Sequence, residues 1–276
     1  MTEQKLEHNT IKERAKKKLE RDMGPELLAA LNDPKTVEIM LNADGKLWLE
    51  RLGEPMKCIG TLRVAQAQAI IELGCGNARL SCTLVQRYPQ CTVTGLEVDA
   101  VQHAKNLARA PAGVTFVVAG AQDVPFDDAS FDLALMLKSL HHVPLDLLDQ
   151  ALSEVARVLR PGSLFYVSEP IYGGALNDIV RIYNDEGVVR PAAQSALDRA
   201  IAKGEQWQQV AEYRFAQAVH YANFDEFAKR MLYPTFADHG IDEAITARVQ
   251  AAFEPHCTAA GASFVRPMHV RLLRRH

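Results

Sequence analysis

The chain of 276 residues contains no run approaching the ~20 consecutive apolar residues that a membrane-spanning helix needs, so no bilayer insertion is expected. Its opening stretch, MTEQKLEHNTIKERAKKKLERD, is polar and lacks the apolar segment of a secretory signal, which makes a cytoplasmic location the expectation. Cysteine is sparse. The five residues Cys58, Cys75, Cys82, Cys91 and Cys257 are scattered, odd in number and free of any CxxC, which excludes a disulfide framework and a zinc site, so no metal is expected. Charge of one sign is also lacking: 31 Lys+Arg stand against 34 Asp+Glu for a net −3, and no basic stripe argues for nucleic acid. No GxxxxGK[ST] loop is present, so phosphate binding of the ATPase kind is not expected.

What is present is a chain 48% hydrophobic and 24% charged, enough for a sizeable core in one large α/β domain or a medium domain with an appendage. Residues 1–21 carry seven Lys/Arg and four Glu and read as a solvated helix or arm. Leu27, Leu28 and Leu31 recur at helical spacing until Asn32-Asp33-Pro34, and VEIMLNADGKLWLERLG (37–53) reads as a β-hairpin turning at Asp44-Gly45. Residues 1–60 are therefore expected to form a small α+β appendage.

From Ala69 the rhythm becomes strand–helix alternation. AIIEL (69–73), TVTGLE (92–97), VTFVV (114–118), DLALML (132–137) and SLFYVS (163–168) read as parallel strands. Asp99 is positioned to cap the helix after the second strand, and Pro161-Gly162 to end the helix before the fifth. A helical stretch from about 177 to 203 follows, then a long strand over 207–222. Two helices near 224–232 and 241–253 come next, and a closing strand over ASFVRPMHVRLLRR ends the pattern. Residues 61–276 are thus expected to form one Rossmann-like, seven-stranded α/β domain with a helical insertion over about 172–204.

In such a sheet the ligand crevice lies at the carboxyl ends of the strands. There the first strand runs into Glu72-Leu73-Gly74-Cys75-Gly76-Asn77-Ala78. The two glycines permit a tight turn and let a ligand lie against bare backbone. Glu97, 21 residues after Gly76, ends the second strand where an acid can accept both hydroxyls of a ribose. A dinucleotide site needs a third glycine at position 79, where Arg79 stands. Glu72 suits a cationic partner and would repel a pyrophosphate.

ELGCGNA (72–78), GLEVD (95–99), AQDVPFDDASFD (121–132), LHHV (140–143) and EVARVLRPGS (154–163) together resemble the motifs of class I S-adenosylmethionine-dependent methyltransferases. The resemblance implies that S-adenosyl-L-methionine is the cofactor. It implies that Gly74, Cys75 and Gly76 hold its methionine part and that Glu72 binds the amino group. Glu97 would take the ribose, Val98 would pack on adenine, Ala121 and Gln122 would contact the adenine edge, and Leu137 and Lys138 would line the sulfonium side. Two departures stand out: Ala78 replaces the motif's third glycine, and Gly120 stands where many relatives place an aspartate. The segment EPIYGGALNDIVRIYNDEGVVR resembles a subgroup with a helical lid between strands five and six. LNDPKTVEIMLNADGKLWLERLGE resembles the N-terminal segment of conjugative-transfer secretion ATPases of the TrbB type, without their phosphate-binding loop. The appendage is accordingly read as a cap or a self-association surface through which a homodimer would form.

The implied reaction is methyl transfer by in-line displacement to a small molecule with an oxygen, carbon or sulfur nucleophile. Its candidate catalytic residues are His141 and His142, as a general base, and Glu169, as a substrate contact at the end of strand five. A packing or cofactor-lining role competes for the histidines, and a helix-terminus or salt-bridge role for Glu169. Tyr172, Asp178, Arg181 and Tyr183 in the insertion, and His220 and Tyr221 at the end of strand six, are further candidates for an acceptor pocket. Arg266, Arg271, Arg274 and Arg275 read as the exposed face of an edge strand. Nucleic-acid and membrane partners are not expected. The alternative is a catalytically silent protein that binds the same nucleoside or acts as a scaffold.

Overall fold

The computed structural model describes residues 36–41, 46–51, 57–61, 68–233 and 239–276. The chain divides into two compact units, residues 1–66 and 67–276. In the first, β1 (Thr36–Leu41), β2 (Lys46–Arg51) and β3 (Lys57–Thr61) form an antiparallel sheet in the order β1-β2-β3. The two strands of the expected hairpin pair as anticipated, Leu41 opposite Leu47 and Thr36 opposite Arg51. The third strand is an addition, and the helix and arm expected before residue 36 lie outside the described residues.

The second unit is built on an eight-stranded sheet. Its parallel centre comprises β4 (Ala69–Leu73), β5 (Thr92–Leu96), β6 (Val114–Val117), β7 (Phe131–Leu137) and β8 (Leu159–Pro170). Outside them lie β9 (Trp207–Tyr221), the two-residue β10 (Cys257–Thr258) and β11 (Gly261–Arg275). The order is β10-β11-β8-β7-β4-β5-β6, with β9 on the other edge of β11, so β11 alone runs against its long neighbours. Strand order reverses between β4 and β7, which places the crevice above their carboxyl ends. Ile70, Ile71, Leu73, Ala134, Met136, Phe165 and Val167 are buried, as strands covered on both faces require.

Seven helices among the described residues cover the sheet or extend beyond it. They are α1 (Arg79–Arg87), α2 (Ala100–Leu107), α3 (Leu148–Val158), α4 (Ala175–Val180), α5 (Val189–Lys203), α6 (Phe224–Met231) and α7 (Glu243–Phe253). Asp99 caps α2 as expected, accepting from the amides of Val101 at 2.9 Å and Gln102 at 3.2 Å. Asn223 and Asp242 do the same for α6 and α7. Leu148, Ala151, Leu152, Val155 and Ala156 put one face of α3 into the main core, with Phe165, Trp207 and Leu197. A second core, made by Leu176, Ile179, Tyr221, Phe227, Phe253 and Phe264, holds α4, α6 and α7 on the far ends of β9 and β11. Its rings meet edge-on or tilted, Tyr221 on Phe227 at 5.1 Å and Phe253 on Phe264 at 5.7 Å. No helix among the described residues is long and apolar enough to cross a membrane.

Three expectations are corrected. Strand β8 begins at Leu159 and contains Pro161-Gly162, because Leu159 is fully buried and pairs with Phe131 while the intervening residues form an irregularity before Leu164 meets Leu133. The helical stretch over 177–203 is two helices, α4 and α5, separated by residues 181–188. The arginine-bearing strand β11 is not an edge: it lies between β8 and β9, and Arg271 is buried with Asp198 as ion-pair partner at 2.6 Å. Phe165 is fully buried in the main core, its ring 5.5 Å from that of Trp207. Phe165→Ala is expected to lower the free energy of unfolding by about 3–5 kcal/mol, measured by urea denaturation.

Candidate active site

The turn after β4 is held in shape by its neighbours. The amides of Gly74 and Cys75 both donate to the Leu96 carbonyl, at 3.0 and 2.9 Å, binding the turn to the end of β5. Gly74 and Gly76 have φ of +71° and +51°, and Ala78 follows at +55° as the residue before α1. At Gly74 an added Cβ would meet Ser139 Cβ at 2.6 Å, because the turn after β7 presses on this point and Ser139 Oγ donates to the Leu73 carbonyl at 2.8 Å. At Gly76 a Cβ would meet nothing within 4 Å. Above that glycine the backbone faces open space. Asn106 of α2 donates through Nδ2 to the Gly76 carbonyl at 2.7 Å and receives Gln102 Nε2 at 2.8 Å, fixing the turn from below.

Two carboxylates flank this cradle. Glu97 is buried; its Oε2 accepts from the Gly76 amide at 2.7 Å and its Oε1 from the Asp99 amide at 2.9 Å. Glu72 is 5% exposed, and its Oε2 accepts from the Ser81 amide and hydroxyl at the start of α1. Burial pushes the Glu72 carboxyl up to about 7, the Ser81 bonds oppose this, and the negative Glu97 adds to it. Cys75 faces the sheet, where an added Cβ on Gly95 would meet its sulfur at 2.9 Å, so only its backbone reaches the cradle. Burial, followed by the nearby charges of Glu72 and Glu97, pushes the Cys75 thiol up to about 12.

Beyond Glu97, Val98 is 67% exposed and Val118, next to the end of β6, is 56% exposed, two apolar side chains in water on the ligand side of the sheet. Ala121 is buried. The amide of Gln122 lies over Gly120, where an added Cβ would meet its Nε2 at 2.4 Å. The amide head therefore takes the space that a side chain at position 120 would fill.

On the other side of the crevice, Leu137 is half-buried and Lys138 exposed, with φ of +58° and its amide donating to the Ser168 carbonyl at 2.7 Å. Glu169 does not face the crevice as expected. It is 1% exposed, its Oε1 accepts from the amides of Ser139 and Leu140 at 3.0 and 2.9 Å, and its Oε2 lies 2.5 Å from His141 Nδ1. Glu169 thus clamps the turn Leu140–His142 and orients the buried His141. The His142 ring stands 4.1 Å from that of His141 and keeps an exposed face. Desolvation of its inner side and the adjoining His141 lower its pKa from the ordinary value, so it stays neutral at neutral pH.

The insertion brings residues that sequence reasoning did not single out. Glu186 Oε1 lies 3.9 Å from His141 Nε2, and its other oxygen pairs with Arg190 at 2.5 Å. Burial acts against the Glu186 charge, but Arg190 and His141 hold its carboxyl below the usual range. His141, His142 and Glu186 place one ligating atom each within 4.8 Å of one another, although the carboxylate already carries Arg190 as counter-ion. No spacing signal links 186 to 141; only the return of the chain between α4 and α5 brings them together. Of the other candidates, Tyr172 donates to Asp185 at 2.8 Å, Tyr183 to the Met231 carbonyl at 3.1 Å, and Arg181 pairs with Asp178 at 3.5 Å on the surface. His220 contacts Ser263 at 3.1 Å, and Tyr221 is packed in the second core.

A family model described as a methyltransferase domain matches residues 70–162. A fatty-acid O-methyltransferase of Mycolicibacterium smegmatis is 36% identical over 106 residues, 38% of this chain and 38% of that protein. The O-methyltransferase cnsE of Penicillium expansum is 37% identical over 115 residues, 39% of this chain and 40% of that one. The chain thus spans about two fifths of the length of these relatives. The crystal structure of YcgJ from Bacillus subtilis is 16% identical and superposes with a TM-score of 0.54 over 76% of this chain and 92% of that one. The fold of the second unit is Rossmann-like, as its motifs implied, and the methyltransferase-domain match falls on its parallel strands.

The Glu72 carboxyl generates a pH prediction. Because its folded pKa is raised, the stability linked to it is full below about 4.5 and is lost as pH rises through about 7. Glu72→Gln is therefore expected to gain thermal stability relative to the parent at pH 8 compared with pH 5, measured on ligand-free protein by calorimetry.

Proposed function

We propose that this chain is an S-adenosylmethionine-dependent methyltransferase acting on a small-molecule acceptor. The observation that carries the reading is the open backbone at Gly76, anchored to Glu97 at 2.7 Å and backed by the buried Glu72. The donor set fits the nucleoside. A carboxylate at the end of β5 suits ribose hydroxyls, and a second acid behind the turn suits an ammonium, whose approach would favour the ionised form of Glu72. The exposed Val98 supplies an apolar surface for a base, and the Gln122 amide a hydrogen-bonding edge for it. Sequence relatives that carry methyltransferase names over the matched stretch support the same reaction class.

When bound, S-adenosylmethionine supplies a methyl group already activated on a positive sulfur. The chain's own task is then alignment and exclusion of water. Leu137 and Lys138 would line the sulfur side, and the turn Leu140–His142, clamped by Glu169, would stand between cofactor and acceptor. Glu169 acts as a positioning residue. With Nδ1 of His141 turned to that carboxylate, Nε2 is left towards Glu186, and the neutral His142 offers a proton acceptor for a nucleophile that carries a proton.

Calorimetric titration with S-adenosylhomocysteine is expected to give a Kd on the order of micromolar or below. Gly76→Leu is the informative variant, since a Cβ there would meet nothing within 4 Å and the left-handed backbone costs a side chain about 1–2 kcal/mol. It should keep its circular dichroism spectrum and lose at least about a hundredfold in affinity. A wild-type protein that gives no heat with the product or with S-adenosylmethionine would refute the reading.

A further inference from the structure

Strand β11 runs antiparallel to β8 with Met268 opposite Pro170, so residues 261–267 extend past the carboxyl end of β8 onto the ligand side. There Arg266 stands across from Gln217, on the face that also carries the pairs Phe264–Val219 and Met268–Phe215. A half-buried guanidinium thus interrupts an otherwise apolar series. Its charged neighbours are Glu186, Arg190 and Arg230, with Tyr221 alongside. Arg190 is paired with Glu186 at 2.5 Å, and Arg230 with Glu226 at 2.9 Å while its head lies 4.7 Å over the Tyr221 ring. Arg266 has no hydrogen bond or ion pair to any described residue. Among the described residues, three guanidiniums therefore share two carboxylates, and Arg266 is the one with no carboxylate paired to it.

A charge withdrawn from water without a partner is unfavourable, and burial, reinforced by Arg190 and Arg230, lowers the Arg266 pKa. A second unsatisfied donor belongs to the same group. Asn177 is buried, its Oδ1 receives Arg190 at 3.0 Å, and its Nδ2 has no partner among the described residues. The cluster adjoins the reacting centre through Glu186, which touches Arg190 on one side and lies 3.9 Å from His141 on the other.

We infer that Arg266 anchors a carboxylate of the methyl acceptor, which makes the substrate a monoanionic organic acid. The inference rests on the reading of the cofactor site given above. A single unbalanced charge calls for a monoanion rather than a phosphate dianion. The planar guanidinium offers a carboxylate two parallel donors.

The test is calorimetry on full-length protein saturated with S-adenosylhomocysteine, titrated with octanoate, benzoate, octanol, benzyl alcohol and inorganic phosphate. The two carboxylates are expected to bind about tenfold to a hundredfold more tightly than the matching alcohols and than phosphate. Arg266→Met should erase that preference, and Arg266→Lys should retain part of it, while S-adenosylhomocysteine affinity stays at the wild-type value in both. Equal binding of acid and alcohol, preference for phosphate, binding of neither acid up to the millimolar range, or an unchanged preference in Arg266→Met would each overturn the inference. Failure of the wild type to bind S-adenosylhomocysteine would instead remove the cofactor reading beneath it.

Discussion

The carboxylate of Glu97 accepting the amide of Gly76 is the constraint from which the site is built. That bond, 2.7 Å long, joins the turn after β4 to the end of β5, and the two amides donating to the Leu96 carbonyl reinforce it. A turn with two left-handed glycines is conformationally loose in isolation. Tied at three points to the adjacent strand and at a fourth to Asn106, it holds one geometry with its backbone bare towards the crevice. The Glu97 carboxylate and the open space above Gly76 are therefore held side by side before any ligand arrives, which is preorganisation.

The opposite wall of the crevice follows the same logic with another buried acid. Glu169 spends both oxygens on the turn after β7, two backbone amides on one and the His141 ring on the other. Its charge is thereby compensated by directed donors inside the core. Because Ser139 of that turn leans on Gly74, the two acid-tied turns are in contact and define the width of the crevice between them. The insertion adds a charge network, Glu186 with Arg190 and Asn177, beside which Arg266 has no carboxylate partner among the described residues.

Much of this was legible in the chain itself. Continuous apolar runs identified the central strands, because strands covered by helices on both faces have no solvent side. The spacing of Gly74, Gly76 and Glu97 located the cradle, since a glycine turn after one parallel strand and an acid at the end of the next must meet at the same sheet edge. The limits of β8 were less visible, because Pro161-Gly162 reads locally as a stop. The burial of Leu159 and its pairing with Phe131 override that signal. Arg271 misled in the same way: alternation along β11 cannot say whether a strand is at an edge or inside.

By itself, then, the sequence determined the order of elements, the parallel core and the position of the glycine cradle. These depend on local periodicity and on backbone freedom at named glycines. Only the tertiary structure decided that Glu169 is a buried clamp, that Cys75 turns into the sheet, and that Glu186, Arg190 and Arg266 converge beside His141 and His142. Those roles arise from contacts between segments dozens of residues apart, where charge balance and burial are properties of the assembled space and leave no periodic trace along the chain.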